Sequence, residues 1–175
     1  PKICLEIGVY RGQVISLWSL LSKILDYEIE IHGISPFEPI GDSVSEYIKN
    51  VNYLEDTKKN CLRFSHKLPN LHVGLSTDLK MVNIIDSKKW DLIYIDGSHN
   101  YEVVKKDFFV SLKNLAKDGL IIIDDSSVNL NYLNYPFSSK GHPGPSRVAD
   151  EINKNQLIEI LTVGRNRVFK KISDL

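Results

Sequence analysis

The sequence predicts an α/β fold: one doubly wound sheet, mostly parallel, that ends in a C-terminal antiparallel hairpin. Three observations predict it. The apolar runs Leu92–Ile95 and Leu120–Ile123 are rich in β-branched residues and too short for typical helices, as strands buried on both faces are. Strand-like and helix-like segments alternate five times along the chain, and right-handed crossovers then lay the strands parallel with helices on both faces. Finally, Leu157–Val163 and Arg167–Ile172, separated by Gly164-Arg165-Asn166, read as a hairpin.

Taken in order, Lys2–Ile7 is the first strand, closed by the glycine turn Gly8-Val9-Tyr10-Arg11-Gly12. Val14, Leu17, Trp18, Leu21, Ile24 and Leu25 then recur at helical spacing and predict one buried stripe. Glu28–Ile34 is the second strand, and Pro36 and Pro39 break regular structure after it. Asp42–Leu68 reads as polar and mostly helical, ended by Pro69-Asn70, and Leu71–Leu75 as a short third strand. Ser76-Thr77-Asp78 suits a helix start, because side-chain oxygens accept from first-turn amides. That helix runs to about Asp86, and the fourth strand is Asp91–Asp96. Tyr101, Val104, Phe108, Leu112 and Leu115 mark one face of the next helix, which Lys117-Asp118-Gly119 ends before the fifth strand. Asp107, on that helix, reads as a surface residue paired with a lysine. Residues 126–146 carry no period and read as a lid or a disordered insertion, with Tyr132, Tyr135 and Phe137 stacking on a ligand ring in the first case. Arg147–Asn153 is a short helix.

The bulk properties bound the rest. One domain over residues 1–175 is large enough to bury a core. The chain starts almost inside its first strand, so it reads as lacking N-terminal residues of a longer protein. Lysine plus arginine equal aspartate plus glutamate, 22 against 22, which argues against a nucleic-acid partner or a membrane surface. No apolar run approaches the ~20 residues of a membrane-spanning helix, and no signal peptide is visible. Cys4 and Cys61 lack paired spacing and read as free thiols of a reducing, cytoplasmic location.

The chemistry gathers where the strands end. Ligands of open α/β sheets bind beyond the carboxyl ends of the strands, and the central strands end in Asp96, followed by His99, and in Asp124-Asp125. The turn from Gly8 to Gly12 lacks both the Gly-x-Gly-x-x-Gly dinucleotide pattern and a phosphate-loop lysine. Taken with Leu5-Glu6-Ile7-Gly8, Gly33-Ile34-Ser35, the Ile95-Asp96-Gly97-Ser98-His99 stretch and Gly119–Asp125, however, it resembles class I S-adenosylmethionine-dependent methyltransferases, which have a Rossmann-like, seven-stranded fold. The likeness is greatest to the branch with metal-dependent sugar O-methyltransferases and cephalosporin-hydroxylase-like proteins.

The resemblance implies an S-adenosylmethionine site at Glu6, Gly8, Tyr10, Gly12, Ser35, Ser76, Thr77 and Asp96. It departs from the family at Ser35, where an acidic residue usually grips the ribose; Glu38 substitutes if its loop folds back. It implies that Asp96, Asp124 and Asp125 hold Mg²⁺ or another divalent cation, because all-oxygen donors suit Mg²⁺. Adjacent strand residues point to opposite faces, so Asp124 and Asp125 share an ion only if the chain leaves strand geometry there. His99 is the candidate catalytic base, with helix capping and metal ligation as its other readings. His32 and His72 read as structural, and His142, in the long loop, carries less weight than His99 as a residue that could reach substrate. The expected acceptor is a small molecule bearing a hydroxyl, in particular a sugar, and a homo-oligomer is compatible with this reading. Its rivals are a non-catalytic binding module on the same fold and a hydroxylase-like metalloenzyme.

Overall fold

The computed structural model describes residues 1–64, 67–131 and 139–173; the lid aromatics Tyr132, Tyr135 and Phe137 lie outside them. Seven strands form one sheet in the order β3-β2-β1-β4-β5-β7-β6. Here β1 is Ile3–Ile7, β2 Glu30–Ser35, β3 Asn70–Val73, β4 Trp90–Ile95, β5 Leu115–Ile123, β6 Leu157–Val163 and β7 Asn166–Lys171. The first five pair in parallel, and β7 joins β5 antiparallel and closes the hairpin with β6. The expected architecture is therefore present.

The central strands are apolar on both faces because helices cover both. Leu5, Ile7, Ile93, Ile95, Ile121 and Ile123 join one core cluster with Phe108 of α4 (Tyr101–Asn114) and the fully buried Trp90. A second cluster, with Val9, Ile15 and Tyr53, lies under α1 (Gln13–Ile24) and α2 (Tyr53–Phe64). The remaining helices are α3 (Leu79–Asp86) and α5 (Pro143–Asp150).

Four expectations need correction. The apolar stripe of α1 is not its buried face: Leu17, Leu21, Ile24 and Leu25 are exposed, while Ile15, Ser16 and Ser19 are buried. Small residues win there because α1 sits close against α2, with Ser16 Oγ 3.5 Å from Cys61 Sγ. Among the described residues of Asp42–Leu68, Tyr53–Phe64 alone is α-helical; the preceding loop is held by side chains, such as Tyr53 Oη accepting from the Ile48 amide at 2.8 Å. The last helix starts at Pro143, not Arg147, as proline in the first turn allows. Asp107 is buried, not a surface partner of lysine, because it shares the inward face of α4 with Val104, Phe108 and Ser111.

Candidate active site

Strand order reverses on either side of β1, and the chain leaves the carboxyl ends of β1 and β4 toward opposite sides, which opens a crevice. It contains a cavity of about 690 Å³. Every turn that follows β1 to β5 contributes to its wall, so the rim expected from the strand-end residues is real.

Six of the eight expected cofactor residues line this cavity: Gly8, Tyr10, Ser35, Ser76, Thr77 and Asp96. Glu6 and Gly12 do not. Glu6 is still inside the sheet, buried, with Oε2 lacking a hydrogen-bond partner, and burial holds its carboxyl well above the usual range. Gly12 is the N-cap of α1, close to the Thr57 side chain, so it serves the α1–α2 contact. Glu38 does reach the wall: the proline-bounded loop folds back, with Phe37 buried at a φ of 52°.

At the other end stand the acids. Asp96 and Asp124 are hydrogen-bonded through their side chains, and both pKa values are raised, first by burial and then by the neighbouring acid. The bond between them raises Asp96 and lowers Asp124. Asp124 still follows the strand, its amide donating to Ile95 O at 3.0 Å, whereas Asp125 turns away at a φ of 51°. The two adjacent carboxyls consequently face different neighbours. Asp96, Asp124 and Asp125 all line the cavity, but among the described residues they do not place one oxygen each within 4.8 Å of the others.

His99 lies between two carboxylates. Its Nδ1 is 2.8 Å from Asp42 Oδ2 and its Nε2 is 3.0 Å from Asp125 Oδ2. The bond to Asp125 raises the imidazole pKa, burial lowers it, and Asp42 adds to the rise. Asp42 is itself lowered to about 2: burial opposes this, but it accepts from the His99 amide and from Ser45. The helix-capping reading falls away, because Asn100 is the N-cap of α4 and accepts from the Glu102 amide. His142, given little weight from the sequence, has Nε2 3.9 Å from Asp125 Oδ2 and its ring centroid 4.0 Å from that of His99.

Donor chemistry decides whether a metal ion fits. Among the described residues, His99, Asp125 and His142 place one ligand atom each within 4.8 Å of the others. Two imidazoles and a carboxylate suit a divalent ion. By contrast His32 and His72 are structural, as expected: their rings share a hydrogen bond of 2.9 Å, and His32 Nε2 is 2.8 Å from Glu30.

Sequence reasoning missed two residues. Asp42 is 57 residues from His99 in a loop without regular structure, and nothing local marks it. Arg165, in the hairpin turn, sets Nε 3.0 Å from Asp125 Oδ1 and lines the cavity; a cation in the turn between the last two strands was the signal.

Comparison with known proteins bears on this geometry. Residues 5–126 match the family model described as a methyltransferase domain. An uncharacterized protein, R132, of Acanthamoeba polyphaga mimivirus is 28% identical over 151 residues, 84% of this chain; the chain spans 59% of that relative's length. The O-methyltransferase TomG of Streptomyces achromogenes, solved with S-adenosylmethionine, superposes with a TM-score of 0.66 at 16% identity, over 98% of this chain and 74% of that one. CalS11, a TDP-rhamnose 3'-O-methyltransferase of calicheamicin biosynthesis, does so at 0.63 and 18%, over 97% and 71%. These two likenesses establish the seven-stranded fold. The family match runs from the first strand to the turn after the fifth, the elements that build the cavity, and the chain therefore belongs to the methyltransferase domain family, with the class I fold.

Proposed function

We propose that this domain transfers a methyl group from S-adenosylmethionine to a hydroxyl of a small, sugar-type acceptor, with a divalent cation assisting. One observation carries the reading: a single cavity joins the glycine turn after β1 to the acid and histidine cluster after β4 and β5. The first end suits the cofactor, because backbone without side chains can approach it closely. The second end suits a hydroxyl that must lose its proton. CalS11 is a TDP-rhamnose 3'-O-methyltransferase, which favours a sugar among the hydroxyl acceptors.

The acceptor oxygen attacks the sulfonium methyl in line, the carbon–sulfur bond breaks toward sulfur, and S-adenosylhomocysteine leaves; holding the two in register supplies much of the acceleration. A bound cation supplies acidity to a hydroxyl beside it. We assign the proton to Asp124. As His99 stands, both ring nitrogens face carboxylates, Asp42 and Asp125, instead of an acceptor hydroxyl in the cavity. Asp124 lines the cavity, its carboxyl raised chiefly by burial, and its side-chain bond to Asp96 keeps it in place. Balanced charge speaks against a nucleic-acid substrate, and the buried free thiols Cys4 and Cys61 suit a cytoplasmic location. No helix among the described residues is long and apolar enough to cross a membrane.

Calorimetry with S-adenosylhomocysteine, followed by methyl transfer from labelled S-adenosylmethionine to a panel of sugar-bearing acceptors, tests the proposal. Saturable cofactor binding and label in a sugar ether support it, and Asp124→Asn is expected to lose transfer while retaining cofactor binding. No heat at millimolar ligand makes the domain a binding module that has lost its cofactor.

A further inference from the structure

We propose that His99, Asp125 and His142 form a three-ligand site for a divalent transition-metal ion, in place of the all-carboxylate Mg²⁺ site that the sequence implies. The inference deepens the metal-assisted reading above and rests on it.

Four observations converge. First, the spacing is close: His99 Nε2 and His142 Nε2 lie 3.0 and 3.9 Å from Asp125 Oδ2, and the three ligand atoms fall within 4.8 Å of one another, so an ion would draw His142 inward. Ligands about 2.1 Å from one ion are themselves about 3.0–3.5 Å apart at octahedral or tetrahedral angles. Second, the supports are rigid and independent of the side chains. The His142 amide donates to Asp125 O at 2.8 Å, and the strand bridge Ser126–Gly141 fastens the same two segments. A Cβ added at Gly141 would lie 2.2 Å from Asp125 O, so no other residue permits this approach. Third, Asp42 takes the far nitrogen of His99 at 2.8 Å. A carboxylate behind a ligating imidazole fixes its tautomer and raises its basicity, and metal sites recurrently use it. Fourth, the ligands are reachable: His99, Asp125 and Arg165 line the cavity, and the His142 side chain is 34% exposed.

The donor types choose the class of ion. Imidazole suits zinc, copper, iron and nickel, while Mg²⁺ takes oxygen donors. The carboxylates that would suit Mg²⁺ are divided, Asp96 bound to Asp124 and Asp125 bound to His99. Arg165, 3.0 Å from Asp125 Oδ1, offsets the anionic charge of Asp125.

Cobalt is the probe, because Co²⁺ bound through imidazole and carboxylate shows a visible d–d band without any turnover. Tag-free, chelator-stripped full chain is titrated with Co²⁺, then challenged with Mg²⁺. The expected result is one equivalent bound, a band that survives a hundredfold excess of Mg²⁺, and affinity lowered about tenfold or more by His142→Ala and by Asp125→Asn. If Mg²⁺ displaces cobalt readily, or Asp124→Asn removes the band while His142→Ala spares it, the ion sits on carboxylates; the ligand set proposed here is then wrong, and metal assistance stands. If neither ion binds, both fall.

Discussion

Gly8 and Asp96 meet backbone to backbone: a Cβ added at Gly8 would lie 2.0 Å from the Asp96 carbonyl oxygen, and Gly8 has a φ of +96°. The ends of β1 and β4 are thereby drawn together under the cavity, with the Asp96 amide donating to Ile7 O at 2.8 Å. Gly8→Ala faces both a backbone collision and a left-handed conformation. We expect a loss of about 3 kcal/mol or more, read as a lowered denaturant midpoint. A midpoint within experimental error of the parent would show that the turn is free to open.

The position after β2 gives a second prediction. Ser35 and Glu38 both line the cavity, and a charged acceptor contributes about 1.5–3 kcal/mol to a hydrogen bond against about 0.5–1.5 for a neutral one. If Glu38 has taken over the ribose from the missing strand-end acid, Glu38→Gln weakens S-adenosylhomocysteine by about tenfold or more, and Ser35→Ala by less. The reverse order in calorimetry would return the role to Ser35.

The strands were legible because parallel, doubly covered strands must be apolar, and Leu92–Ile95 and Leu120–Ile123 leave no other use for that pattern. The ends of those strands were legible for the same reason: carboxylates straight after a buried run have only the rim to occupy. Long-range pairing was not. Nothing near Asp42 says that it will meet His99, and the split between Asp124 and Asp125 depends on one backbone angle. Asp107 was legible in principle, since Val104, Asp107, Phe108 and Ser111 recur at helical spacing; its charge was allowed to outweigh its position. The face of α1 failed for the opposite reason, because apolar side chains outnumber what close packing against α2 admits.

That last point is measurable. Ile15 is fully buried and Leu17 is 51% exposed. Ile15→Ala is expected to cost about 2–5 kcal/mol, and Leu17→Ala about 0.5 kcal/mol or less. Equal losses in urea titrations would mean that the outer face of α1 is covered in solution.

Asp42 makes its own prediction, apart from the ligands themselves. It accepts from both the backbone amide and Nδ1 of His99. Asp42→Ala leaves the ring free to rotate and change tautomer, so Co²⁺ affinity is expected to fall about 10- to 100-fold. Unchanged affinity would remove Asp42 from the support of the site.

Asp107 ties stability to pH. Its carboxyl is pushed up from 3.8 to about 6 by burial, which the Ser76 hydroxyl only partly offsets, and its Oδ2 has no hydrogen-bond partner. The folded protein therefore binds this proton more tightly than the unfolded chain does. Stability from this group is fully present below about pH 4 and is lost as pH rises through 6, the opposite of an ion-paired carboxylate. A shift of this size corresponds to about 1–3 kcal/mol. Asp107→Asn keeps the shape without the charge, so subtracting its pH–stability profile from that of the parent isolates the group from Glu6 and Asp96, which burial raises as well. The difference is expected to be near zero at pH 4 and to favour the variant at pH 8. A difference that favours the parent at pH 8 would mean that the ionised carboxylate has a partner after all.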